Sequence, residues 1–163
     1  MILLLAAAAA AAPPALDSAY TPLDLDSCIL LEEAEEGESR RWRCPGRGDI
    51  PVFVSTGDGR FDVDAGSGEG EWESIEPFND IGPRVEWRLR SGVPFAIIFR
   101  LSSADPDHPG GALFVETIGG AGAAPCLVAR IDAGRRNANA FARAVADRRA
   151  AGFRCGVDSP ERH

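Results

Sequence analysis

From about residue 50 onward, apolar and polar positions alternate with a period of two, the pattern of strands that have one covered face. Val52 and Val54 share one side of a short strand, Thr56-Gly57-Asp58-Gly59 supplies turn residues, and Phe61, Val63 and Ala65 then alternate with Arg60, Asp62 and Asp64. This stretch predicts a hairpin. Arg84 to Arg90 alternates cleanly, which puts Val85, Trp87 and Leu89 inward and Arg84, Glu86, Arg88 and Arg90 on a wet outer face. Ser91-Gly92 then turns the chain into Pro94–Leu101, which is apolar on both alternating faces until Arg100. A central strand covered on both sides reads this way, so a helix or a second sheet must lie over its far face.

Ala104–Gly111 is a Pro/Gly/Asp loop, followed by strands near Ala112–Ile118 and Cys126–Asp132. The one convincing helix comes last: Asn137 or Asn139 can cap it, Phe141, Ala142, Val145 and Ala146 recur on one face, and Gly152 ends it. The expected fold class is α+β, a mainly antiparallel sheet with one C-terminal helix packed on it.

Ahead of this body, residues 2–12 form an apolar, alanine-rich run followed by Pro13-Pro14. Its length and small residues suit a secretory signal peptide over residues 1–15, cut between Ala10 and Ala15, although no Lys or Arg precedes it. The run is too short to span a bilayer, so no stable membrane span is expected after cleavage, and a periplasmic or secreted location follows. Residues 16–163 are expected to form one exported domain.

The four cysteines, Cys28, Cys44, Cys126 and Cys155, fit an oxidising compartment. They allow three pairings, and sequence alone does not choose among them. Proximity favours Cys28 with Cys44 and Cys126 with Cys155, since each pair closes a local unit: an acidic hairpin-like excursion, and a strand joined to a helix. The spacing gives no C-x-x-C redox motif and no closely paired zinc ligands.

Charge narrows the partners. The chain has 17 arginines, no lysine and a formal net charge of -8, which argues against nucleic acid. Residues 17–80 carry 17 acidic side chains against 5 arginines, whereas residues 130–163 carry 8 arginines against 4 acidic side chains.

Several short motifs together resemble a family of small exported bacterial proteins with no assigned activity. They are Tyr20-Thr-x-Leu-x-Leu-x-x-Cys28, Cys44-x-Gly-x-Gly48 before Pro51-Val52, Gly57-Asp58-x-Arg60, Phe78-Asn79-x-Ile81 and Val85-Glu-Trp-Arg88. The set continues with Pro94-Phe-Ala96, Cys126-x-Val-Ala129, Asp132-Ala133, Asn139-x-x-x-Arg143-x-x-Ala146-Asp147 and Phe153-x-Cys155. The resemblance implies export and two disulfides, and supplies no catalytic residue or cofactor.

Candidate chemistry is sparse. His108 reads as a solvated loop histidine, and His163 is the last residue. No nucleophile elbow, His-Glu-x-x-His helix or P-loop is present. Asp62 and Asp64 stand on one strand face at a separation that a carboxylate-dependent hydrolase could use, but acids alternating on a solvent face are ordinary. The acidic, glycine-rich stretch Asp58–Glu71 suggests calcium, yet it departs from an EF-hand and reads better as a solvated turn, so no metal is expected. Arg84, Arg88 and Arg90 could grip an anionic ligand, and Trp72, in a Gly/Glu-rich segment, could anchor a partner. The expected function is therefore a non-enzymatic binding or interaction module of the cell envelope, whose partner is an envelope protein or a small ligand. The competing expectation is a hydrolase of envelope carbohydrate or peptide that works through Asp62 and Asp64.

Overall fold

A computed structural model describes residues 13–35, 37–68 and 70–163. Residues 1–12 of the expected signal peptide lie outside the described residues. Eleven strands and one helix follow in the order β1 (Leu16–Pro22), β2 (Ile29–Glu33), β3 (Ser39–Arg47), β4 (Ile50–Gly57), β5 (Arg60–Ala65), β6 (Asn79–Ile81), β7 (Arg84–Arg90), β8 (Val93–Ser103), β9 (Gly111–Thr117), β10 (Leu127–Asp132), α1 (Ala138–Arg149) and β11 (Glu161–Arg162). The α+β class holds, with one refinement: the strands form two sheets.

The larger sheet runs β1-β7-β8-β9-β10-β11, and β6 pairs with the far end of β8. The smaller runs β2-β3-β4-β5. Every pairing is antiparallel except the two-residue β10–β11 ladder. The sheets pack face to face over Val52, Val54 and Val63 on one side and Trp87, Phe99 and Phe114 on the other. The opposite face of the larger sheet carries Ala96, Ile98, Leu113 and Val115, which pack under Ala142, Val145 and Ala146 of α1. β8 is thus covered on both faces, by the second sheet and by the helix, as its two-sided apolar run requires.

Two hairpins turn on residues that tolerate positive φ. Asp58 (φ 52°) and Gly59 (φ 69°) join β4 to β5, and Ser91 (φ 49°) and Gly92 (φ 82°) join β7 to β8. Two consecutive left-handed residues give the turn whose twist matches paired strands. Trp87 is fully buried, as its side of β7 predicts, and its indole N–H donates to Thr21 Oγ1 at 2.8 Å.

Both local disulfides are formed: Cys28–Cys44 ties the start of β2 to β3, and Cys126–Cys155 ties the start of β10 to the chain beyond α1. Among the described residues no helix is long and apolar enough to cross a membrane. The first backbone group bound into the larger sheet is the Ala15 carbonyl, which accepts from Ser91 N–H at 2.8 Å.

Two sequence expectations need correction. Of the row Arg84, Glu86, Arg88 and Arg90 only Arg84 faces water: α1 crosses that side of β7 beyond it, leaving Glu86 at 7% and Arg88 at 6% exposure and Arg90 half-buried. The polar residues of the row meet polar partners on the helix, so their alternation marks a helix contact. Asp62 and Asp64 are not solvated either, at 4% exposure each. Residues 70–78, which have no strand period, fold back over them, with Gly70 N–H on Asp64 and Ser74 Oγ on the Phe61 carbonyl.

Candidate functional site

Two places bring chemistry-bearing side chains together: the seam between α1 and the larger sheet, and the cover over β5. The seam starts from a network of buried polar groups. Arg88 donates from Nε and Nη2 to the two oxygens of Asp147 on α1, at 2.9 and 2.7 Å, and from Nη1 to Ser18 Oγ on β1. Ser18 in turn donates to Glu86 Oε1, which also accepts from Arg143 Nε on α1. Arg143 Nη2 donates to Tyr20 OH at 3.0 Å. These are charge-assisted, partly bidentate bonds in a largely dehydrated seam, and they fix the helix on β1 and β7.

Of the three arginines singled out by sequence, the seam consumes two. Arg88 is saturated by Asp147 and Ser18. Arg90 lies over the Phe95 ring at 5.1 Å and reaches the Asp147 carbonyl at 3.4 Å. Neither is presented to a ligand. Arg84 differs: it is exposed at the start of β7, its guanidinium lies 5.1 Å from the Tyr20 ring centroid, and no carboxylate is in ion-pair reach among the described residues.

Arg84 lines a cleft of about 250 Å³ at the N-terminal turn of α1, together with Tyr20, Glu86, Arg100, Asn139 and Arg143. Arg100 projects from β8 toward the helix, and its one side-chain hydrogen bond among the described residues is a long one, 3.4 Å from Nη2 to Asn139 Oδ1. Asn139 and Arg143 are four apart on α1 and so share a face. Three guanidiniums converge against one carboxylate, that of Glu86, which Arg143 already engages. The helix begins at Asn137 in a left-handed conformation with no side-chain cap, which leaves its first amides without that partner. The cleft is concave, cationic and at the positive end of a helix, an arrangement suited to an anion. Sequence found Arg84 but missed Arg100, Asn139 and Arg143, because only the crossing of α1 over β7 and β8 brings them together.

The second place is a buried carboxyl cluster. Asp62 accepts from Val63 N–H at 2.9 Å and Asp64 from Gly70 N–H at 3.1 Å, while the Glu73 backbone amide acts on Asp62 in favour of its ionised form. The two acids therefore hold down residues 70–73. Burial first, then the neighbouring charge of Asp64, pushes the Asp62 carboxyl up to about 8. Glu116, on β9 and on the same face as Phe114, is fully enclosed, and neither carboxyl oxygen has a hydrogen-bond partner. Burial, followed by Asp62, Asp64 and Glu73, drives it well above the ordinary range. Glu73 is also raised, chiefly by burial, with Arg162 opposing.

This cluster does not resemble a working hydrolase site. The neighbouring cleft of about 770 Å³ is lined by Glu71 and Glu73, together with Pro125, Phe153 and the Cys126–Cys155 bridge, while Asp62, Asp64 and Glu116 are not on its wall. Among the described residues, no group of three or more Asp, Glu, His or Cys is placed to hold a metal ion. Asp58, at the head of the stretch considered for calcium, pairs instead with Arg60 at 3.0 Å. His108 bonds Asp105 at 2.8 Å in an exposed loop, as a solvated histidine should. Trp72 sits in the segment over β5 and is 46% exposed.

No family model, no curated protein and no solved structure matches this chain.

Proposed function

We propose that this protein is an exported, non-enzymatic binding module of the cell envelope that takes a small anionic ligand, a carboxylate or phosphate, in the cleft between the larger sheet and the N-terminal turn of α1. The observation that carries this reading is the convergence of Arg84, Arg100 and Arg143 on one concave site, where Arg84 and Arg100 have no carboxylate in ion-pair reach among the described residues. A cationic group left without a counter-charge in a cleft lowers the cost of bringing an anion there, because the ligand supplies the missing charge. The Tyr20 ring beneath Arg84 and the amide of Asn139 add an apolar wall and a polar tip, the mixture that small-ligand sites show. Two disulfides and packing on both faces of β8 make a stiff support for such a cleft.

The carboxylate-dependent alternative is less favoured. Asp62 and Asp64 are enclosed and bonded to backbone amides of the segment that covers them, so a substrate has no path to both.

Isothermal titration of the oxidised protein with phosphate and with a tricarboxylate, at low and at physiological salt, tests the proposal. Binding that weakens with salt and falls at least tenfold in Arg84→Gln and Arg100→Gln, but not in Arg47→Gln on the remote smaller sheet, is the expected result. Absence of binding to either anion at millimolar concentration, or equal losses in all three variants, overturns it.

A further inference from the structure

The cleft at the start of α1 is not charged throughout. Strand register sets its sheet side: Glu86 of β7 lies opposite Ile98 of β8, and Arg100 of β8 lies opposite Leu113 of β9. All four side chains are on the face that meets the helix, where Glu86 bonds Arg143, Arg100 bonds Asn139, and Ile98 and Leu113 pack in the apolar layer under α1. Ile98 and Leu113 therefore form an apolar floor, with a carboxylate beside the one and a guanidinium beside the other. Each is 3% exposed, so a hydrocarbon group resting on them extends an existing core. The Tyr20 ring and Pro83, both exposed, stand at the mouth.

This layout discriminates among anions. A phosphate carries oxygens on every side, and those turned to Ile98 and Leu113 would leave water without gaining a donor. Glu86 lines the same cleft, held by Arg143, so a first negative charge on a ligand meets Arg84 and Arg100 whereas a second meets repulsion. A carboxylate on a hydrocarbon stem has its oxygens at one end alone. Its head can reach the two guanidiniums while its stem covers the floor, and every methylene that leaves water there strengthens binding. The cleft measures about 250 Å³, the space of about eight waters at ~30 Å³ each. That suits an acid of about six carbons and is too small for a long fatty acyl chain.

We infer that the ligand of this cleft is an amphipathic monocarboxylate, a short-chain or aryl acid whose head meets Arg84 and Arg100 and whose hydrocarbon body lies on Ile98 and Leu113. The inference rests on the anion-binding reading above and narrows it: phosphate and polycarboxylates are weaker ligands of the same site, because they bring charge or oxygens to a floor that offers no donor. Arg143 is not a head group for the ligand. Its bond to Glu86 places the carboxylate that selects against a second charge.

The test is isothermal titration of the oxidised protein with acetate, butyrate, hexanoate, octanoate and decanoate, beside benzoate, phosphate and 1-hexanol, all at one ionic strength. From acetate to hexanoate binding should tighten about fourfold per added methylene, and the gain should stop before decanoate as the chain outgrows the cleft. Benzoate should bind more tightly than acetate. 1-Hexanol, which keeps the body and lacks the charge, should bind roughly tenfold or more weakly than hexanoate. Arg84→Gln, at an exposed position, should weaken every acid by a similar factor and leave the gain per methylene unchanged. A series flat with chain length, alongside phosphate binding that Arg84→Gln weakens, overturns this inference and leaves the anion reading standing. Anion binding that is absent, or indifferent to Arg84→Gln, overturns both. A gain that continues through decanoate overturns the inference as well, since it means adsorption on open apolar surface.

Discussion

At the scale of the single residue, Arg88 shows how a polar side chain can be read correctly for strand position and wrongly for role. Alternation along β7 places it opposite Trp87, and only the helix crossing shows that its face is closed. Its side chain is 7% exposed and makes a two-pronged pair with Asp147. Breaking a buried pair from one side strands a charge, so Arg88→Ala should cost about 3–5 kcal/mol. Replacing both partners with apolar residues, as Arg88→Met with Asp147→Leu, should recover most of that loss. Urea unfolding of the three proteins decides the matter: a single variant within ~1 kcal/mol of native would mean that the pair is solvated and dispensable. By contrast, the fully buried indole of Trp87 was legible because its neighbours Val85 and Leu89 are apolar at the same period.

At the scale of elements, local chemistry decided what could be foreseen. The two hairpin turns, the central strand, the last helix and both local cysteine pairs follow from nearest-neighbour patterns, and all are present. β1 and β11 were not legible. β1 directly follows the apolar run read as a signal peptide and finds its partner, β7, some 70 residues later; β11 is two residues long. The cover over β5 was missed because irregular chain has no period to detect. The turns also allow a comparison. Gly59 and Gly92 both have positive φ, but a Cβ on Gly59 would come within 2.7 Å of the Phe78 ring whereas one on Gly92 would meet nothing within 4 Å. Gly92→Ala should cost only the conformational strain, ~1 kcal/mol, and Gly59→Ala distinctly more, since the ring must also move. Equal losses in thermal or urea unfolding would show that Phe78, 61% exposed, simply swings away.

At the scale of the molecule, the buried acids set how stability depends on pH, and the sign is opposite to that of an ordinary ion-paired protein. Asp62, Glu73 and Glu116 all hold their protons more tightly when folded than when unfolded. Between the ordinary carboxylate range and about 8 the folded form therefore binds protons that the unfolded chain has given up, and stability falls as pH rises. The half-buried acids Asp105, Asp158 and Glu161, lowered chiefly by side-chain hydrogen bonds to His108, Arg154 and His163 respectively, work the other way and lose their contribution as pH drops through and below the carboxylate range. The stability maximum thus belongs on the acid side of neutral. For Asp62 alone the loss on going from pH 4 to 8.5 is on the order of 5 kcal/mol. The loss should level off above about 8, once Asp62 is ionised in the folded and unfolded states alike. Urea midpoints from pH 4.5 to 9 should therefore decline and then flatten in the native protein, and vary much less in Asp62→Asn/Glu116→Gln. A midpoint that rises from pH 5 to 8 would show that the cluster finds counter-charges on ionising, and would remove the reason for the acid-side maximum.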